Sequence, residues 1–215
     1  ASEPQREMEK PSEDTLAASD SELINLPSRV LENLFWMGRY AERAEACLRI
    51  LRTTYRQLNG EDPLSSDMRV HLLDAVATLA AVTVTGVPES DRSMVSVLRE
   101  GTVPAAIAGV LNSMLFCAEE AKELLSSDTY RVINDIRDSI PLLDTELGDH
   151  FQTPDEVLDP LVTALLALAG LNHESMTRGY GWRFMDLGRR LERAVQTANL
   201  TECLLVPELP EPDQS

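Results

Sequence analysis

The sequence predicts an all-α fold: a helical bundle of about six or seven helices, the first and last long ones pseudo-symmetric. Three observations predict it. Apolar residues make up 43% of the 215 residues but aromatics only 5%, so the core must be aliphatic and alanine-rich, which suits packed helices better than sandwiched strands. Apolar residues recur at three- and four-residue steps between Pro and Gly breaks, and no stretch alternates strictly enough for a strand. The one β-like patch, AVTVTGV at 81–87, falls at an expected helix end. Finally, nearly the same seven residues occur twice, GRYAERA at 38–44 and GRRLERA at 188–194.

Residues 1–26 hold seven acids and two bases, with little apolar content before Leu23. They read as an acidic disordered linker or tail. Pro27-Ser28 then opens the first helix, with Ser28 as its N-cap. Val30, Leu34, Met37, Ala41, Ala44, Leu48, Leu51 and Tyr55 form its apolar face, to about Asn59, with Gly60 as the stop. At 1.5 Å per residue this helix is roughly 45 Å long. Asp62-Pro63 breaks the chain before a second helix over 64–85, ended by Gly86-Val87-Pro88. Asp91 caps a short third helix to about Arg99. A fourth, rich in alanine and leucine, spans 104–125. Ser126-Ser127-Asp128 joins it to a fifth over 128–147. Gln152-Thr153-Pro154-Asp155 introduces a sixth, to about Glu174. Arg178-Gly179-Tyr180-Gly181 is a tight turn before the last helix, 182–205, which Val206-Pro207 ends. The domain is therefore 27–206, and an acidic Pro-rich tail occupies 207–215.

The formal charge is -17. Nucleic acid and anionic membrane both need a basic footprint, so neither is expected as a partner. Cys47, Cys117 and Cys203 are odd in number and widely spaced, without a C-x-x-C. They read as small apolar residues in a reducing, cytoplasmic setting rather than as disulfides or zinc ligands. The longest apolar run, Leu161–Leu171, is broken by Thr163 and Gly170 and is too short to span a bilayer. No signal peptide is visible, and a start at Ala1 fits a piece of something longer.

The repeat carries the main site candidates. On a wheel of about 100° per residue, Gly38 and Glu42 share one edge, Arg39 and Arg43 lie beyond it, and Leu34, Ala41 and Leu48 lie on the other side. Phe184, Leu191 and Ala198 take the same apolar places in the second copy. A mid-helix glycine costs about 1 kcal/mol against alanine, so two equivalent glycines suggest close backbone approach. Arg39 and Arg43 are like charges at i,i+4 and need anions. Packing the two helices about a pseudo-twofold axis would bring Glu42 to Arg189 or Arg193, and Glu192 to Arg39 or Arg43. The alternative is a ligand site: guanidiniums that grip a phosphate or carboxylate in two-pronged bonds, with the glutamates orienting them or acting as acid and base.

Other candidates are weaker. Trp36 and Trp182 stand near the two motifs as core residues or pocket walls. Arg178, in the turn before the last helix, could serve an anion at that helix's N-terminus. A di-metal carboxylate site would need Glu-x-x-His on two helices. His71, His150 and His173 follow Met68, Leu147 and Gly170 at that spacing, so no metal is expected, and nothing implies a cofactor.

LPSRVLENLFWMGRYAERAEACLRIL at 26–51, and the stretch from MTRGYGWRFMDLGRRLERAVQTANL at 176–200 to Leu205, resemble the two ends of the alpha-E family, a bacterial and archaeal α-helical domain named for its Glu-Arg motif. CAEEAKELLSSDTYRVIN at 117–134 resembles the family's central segment more loosely. That segment usually has an Asn after the first Glu and a Glu and Trp near Asp128 and Tyr130. The resemblance implies a setting more than an activity. Family members occur beside, or fused to, a circularly permuted ATP-grasp ligase, often with a transglutaminase-like peptidase and sometimes a proteasome-like hydrolase. It therefore implies an accessory domain that docks an ATP-grasp ligase or its peptide-like substrate, with the ligase in trans or fused upstream. A catalytic domain that uses the Arg/Glu clusters, and a purely structural or oligomerisation module, are the alternatives.

Overall fold

The computed structural model describes residues 27–58, 65–79, 102–149 and 154–205. The acidic stretches 1–26 and 207–215, the stop at Gly60, the β-like patch 81–87 and the short helix over 91–99 lie outside the described residues. Among those residues are six α-helices and no strand: α1 (Ser28–Leu58), α2 (Ser66–Leu79), α3 (Thr102–Glu120), α4 (Ser127–Asp149), α5 (Pro154–Ser175) and α6 (Tyr180–Leu205), with a 3-10 turn at Lys122–Leu124.

The helix ends follow local chemistry. The Pro27 carbonyl accepts from the N–H groups of Val30 (2.9 Å) and Leu31 (3.3 Å). Pro27 thus holds the cap position and Ser28 is the first helical residue, one place on from expectation. α3 ends at Glu120 rather than near 125, because the chain tightens into the 3-10 turn. Ser126 then caps α4: its hydroxyl accepts from the Thr129 N–H at 3.1 Å. Pro154 opens α5 at the position where a missing N–H costs nothing. Pro141 and Pro160 lie inside α4 and α5. Each forfeits a backbone hydrogen bond, while the buried Leu143, Leu158 and Leu161 anchor those helices.

α6 begins at Tyr180, two residues earlier than the turn reading allows. Gly181 is helical and buried. A Cβ there would lie 3.0 Å from Leu34 Cδ1 and 3.3 Å from the Met176 methyl, so the glycine lets the first turn of α6 close onto the core.

α1 is the central helix and packs against α2, α3, α5 and α6, while α4 packs on α3 and α5. Leu34, Met37, Leu48 and Leu51 of α1 meet Ile107, Leu111 and Met114 of α3, Ile133 and Ile136 of α4, and Leu161 and Leu165 of α5 in one aliphatic core. Burying each such side chain stabilises by about 2 kcal/mol.

α1 and α6 run side by side in the same direction. A Cβ on Gly38 would overlap the Met185 carbonyl, and one on Gly188 would overlap the Phe35 carbonyl. The two contacts are the same contact under a shift of residue number, as a pseudo-twofold axis along the pair requires. The glycines are there for the approach of two backbones.

Candidate functional site: a crossed Arg–Glu cluster

The close approach at Gly38 and Gly188 fixes where the next turn of each helix points. Glu42 and Glu192 both turn inward and are 7% and 0% exposed. Each takes two guanidiniums from the opposite helix. Arg39 donates to Glu192 Oε2 at 2.7 Å and Arg43 to Glu192 Oε1 at 2.6 Å. Arg193 grips Glu42 in a two-pronged pair at 2.5 and 2.9 Å, and Arg189 Nε lies 3.6 Å from Glu42 Oε2. The six residues of the doubled motif are therefore one cluster.

Gln196, one turn past Glu192, completes it. Its Nε2 donates to Glu192 Oε1 at 2.9 Å, while its Oε1 is buried with no partner. The sequence reading missed Gln196, although its i+4 spacing from Glu192 places it on the same face. Burial pushes the Glu192 carboxyl up, but hydrogen bonds from Arg43, Gln196 and Arg39 together outweigh this and hold it below the usual carboxylate range. The bonds to Glu192 and to Glu42 raise the pKa of Arg43 and Arg193 respectively. Glu192, Arg43 and Arg193 are therefore held in their charged forms at neutral pH. A general acid or base would need a carboxyl shifted the other way.

The secondary candidates divide. Trp36 joins the cluster's edge: the Arg39 guanidinium lies 5.1 Å over its ring, and Tyr40 stacks on it at 5.6 Å. Arg178 and Trp182 form a separate group at the start of α6, the guanidinium 4.8 Å over the indole and 3.4 Å from His173 Nε2. A hollow of about 240 Å³ lies beside that group, between Leu124, Thr177 and Tyr180.

A second hollow, of about 270 Å³, lies between α1, α2 and α6 beside the cluster. Ala46, Ile50, Leu79 and Leu200 give it apolar walls, and Glu42 and Arg193 lie at its rim. No group of three or more His, Cys, Asp or Glu among the described residues could hold a metal. Cys47 donates to the Leu79 carbonyl at 3.0 Å. Burial pushes its thiol up to about 12 and that of Cys117 to about 11, so neither is a nucleophile at neutral pH.

The apolar stripe of the second copy is where the structure departs most from the repeat. Phe184 and Leu191 take the places of Leu34 and Ala41, yet they are 37% and 44% exposed while Leu34 is fully buried. The inward face of α6 is instead Gly181, Met185, Gly188, Glu192 and Gln196.

The chain matches the family model Alpha-E, a predicted alpha-helical domain with a conserved ER motif, over residues 26–214. The chain belongs to the Alpha-E family. The Glu-Arg pairs at 42–43 and 192–193 in this Alpha-E chain are the residues that cross-link α1 and α6. It is similar to the uncharacterized protein Rv2567 of Mycobacterium tuberculosis, with 28% identity over 199 residues. That match covers 82% of this chain and 22% of the relative. The uncharacterized protein Mb2597 of Mycobacterium bovis matches to the same extent. The Alpha-E chain thus spans about a fifth of the length of these curated relatives. No solved structure matches it. No helix among the described residues is long and apolar enough to cross a membrane.

Proposed function

We propose that this Alpha-E chain is a non-catalytic helical partner domain in a cytoplasmic system that makes or attaches a peptide or peptide-like amide. It docks a circularly permuted ATP-grasp ligase or holds that ligase's substrate, and a transglutaminase-like peptidase belongs to the same setting. The observation that carries this reading is the closure of the cluster. Four guanidiniums are taken up by two buried carboxylates, so the doubled motif fastens two helices and leaves no acid–base pair to work on a substrate. The much greater length of the relatives supports a role beside other domains. The resemblance to a family found with ATP-grasp proteins suggests which domain. The three cysteines are free thiols, as a reducing compartment favours. The acidic chain favours neither nucleic acid nor anionic membrane.

A second reading rests on Arg193. Its side chain is 62% exposed, and it stands with Glu42 at the rim of the 270 Å³ hollow. An anionic or peptide-like substrate could engage it there, which would make the domain catalytic or substrate-binding.

Calorimetric titration separates the two. The chain is titrated with the ATP-grasp protein, ATP, phosphate and glutamate-rich peptides, then again as Arg39→Ala/Arg189→Ala after circular dichroism confirms its fold. Partner binding without small-anion binding is expected. A small anion that binds the wild type and is lost in the variant would overturn the docking reading in favour of the second.

A further inference from the structure

The hollow of about 270 Å³ beside the cluster carries an unanswered hydrogen-bond acceptor. Its apolar walls, Ala46, Ile50, Leu79 and Leu200, are all aliphatic. Pockets for drug-sized ligands run from about 300 to 1,000 Å³, so this one suits a group of a few carbons. Gln196 also lines it. Gln196 Nε2 donates to the Glu192 carboxylate, which can only accept, and this fixes the orientation of the amide. Gln196 Oε1 is then left buried with no hydrogen-bond partner. A buried acceptor without a donor is costly, and few native groups stay so. An N–H brought into the hollow would satisfy it.

Charge points to a second group on the same ligand. The four guanidiniums of the cluster face two carboxylates, which leaves an excess of two positive charges. Arg193 is the most exposed of the four and stands at the rim of the hollow. Two further acids act on Arg193, Glu45 and Asp186. Both are already paired, with Arg49 at 2.9 Å and with Arg190 at 2.6 Å. The excess is therefore not cancelled on the spot, and an anionic group at this rim meets a net positive charge. One ligand meets all three features: an aliphatic side chain, an amide N–H and a carboxylate on a single carbon, as in the last residue of a peptide.

We infer that the hollow seats the C-terminal residue of a peptide with a branched aliphatic side chain. The side chain fills the space between Ile50, Leu79 and Leu200, the amide N–H donates to Gln196 Oε1, and the carboxylate meets Arg193. The inference rests on the substrate-holding form of the proposed function and adds the seat and the class of residue. It is tested by NMR titration of the folded chain, read at the Gln196 side-chain amide, with N-acetyl-alanyl-leucine as the probe. A ligand of this size should bind with a Kd on the order of 1 mM. N-acetyl-alanyl-glycine, which lacks the side chain, should bind about 100-fold more weakly. The C-terminal amide of the probe should bind about 10-fold more weakly, with the difference shrinking as salt rises. The ester analogue with oxygen in place of the leucine N–H should also lose about 10-fold. Ala46→Phe and Thr197→Phe each put a ring into the hollow from a different helix, and either should abolish the shift. Thr197 is exposed, so that variant keeps its fold where Ala46→Phe does not. A shift that the folded variants leave unchanged, or the same shift from inorganic phosphate alone, would overturn the inference. So would equal binding of the probe and its amide. No shift from the probe, in a chain that still binds the ATP-grasp protein, would overturn the seat while the docking reading stands. Binding of neither would overturn both.

Discussion

Gly38 and Gly188 show how one missing methyl group decides a fold. Alanine at either site would place a Cβ against a backbone carbonyl of the facing helix. A carbonyl within a helix cannot swing aside as a flexible side chain can, so the helices would have to part. Overpacking of this kind costs about 1–3 kcal/mol, against a gain of about 1 kcal/mol in helix propensity. Gly109 and Gly170 are opposite cases, since nothing lies within 4 Å of a Cβ at either. Urea melts should therefore find Gly38→Ala and Gly188→Ala destabilised by roughly 1–2 kcal/mol. Gly109→Ala and Gly170→Ala should be stabilised by about 0.5–1 kcal/mol each. The sequence already announced close approach at the first two glycines, because they stand at equivalent places in a repeat. It carried no such signal for the last two.

At the scale of the element, two forces set the helices, and they were unequally legible. Caps and breaks are local, so Ser126, Pro154 and the three- and four-residue spacing located α3, α4 and α5 to within a few residues. Ser126→Ala should cost about 1 kcal/mol, the usual loss for a serine cap, in thermal or urea denaturation. The face that a helix turns inward depends on its neighbours. A wheel gives the phase of Phe184, Leu187 and Leu191 but not which side the next helix covers. The repeat suggested that both copies bury the same stripe. In α6 the requirement to close on Gly38 and to bury Glu192 against Arg39 and Arg43 turned the helix the other way. Gln196 went unnoticed for the same reason: its value lies in a bond to Glu192 that forms only once that carboxylate is buried.

At the scale of the whole molecule, the first and last of the described helices, α1 and α6, are fastened to each other through four cations and two anions. Such a closure should respond to acid. The Glu192 carboxyl titrates lower in the folded chain than in the unfolded one, where about 4.3 is ordinary. Its contribution is therefore complete above that value and is lost as pH falls through the lowered folded one. Glu192→Gln should lower stability by about 3 kcal/mol at neutral pH, since it leaves Arg39 and Arg43 without their carboxylate. It should also flatten the fall in stability below about pH 4, measured by urea melts across pH.

The central claim is that the doubled motif is a fastener across two helices. The most direct measurement is a double-mutant cycle in urea on Glu192→Gln and Arg43→Ala, whose side chains meet at 2.6 Å across 149 positions of sequence. The account predicts a coupling of about 1–3 kcal/mol, the range for residues in one ion-pair network. Effects that add to within about 0.5 kcal/mol would show that the two side chains do not act on each other, and would contradict it.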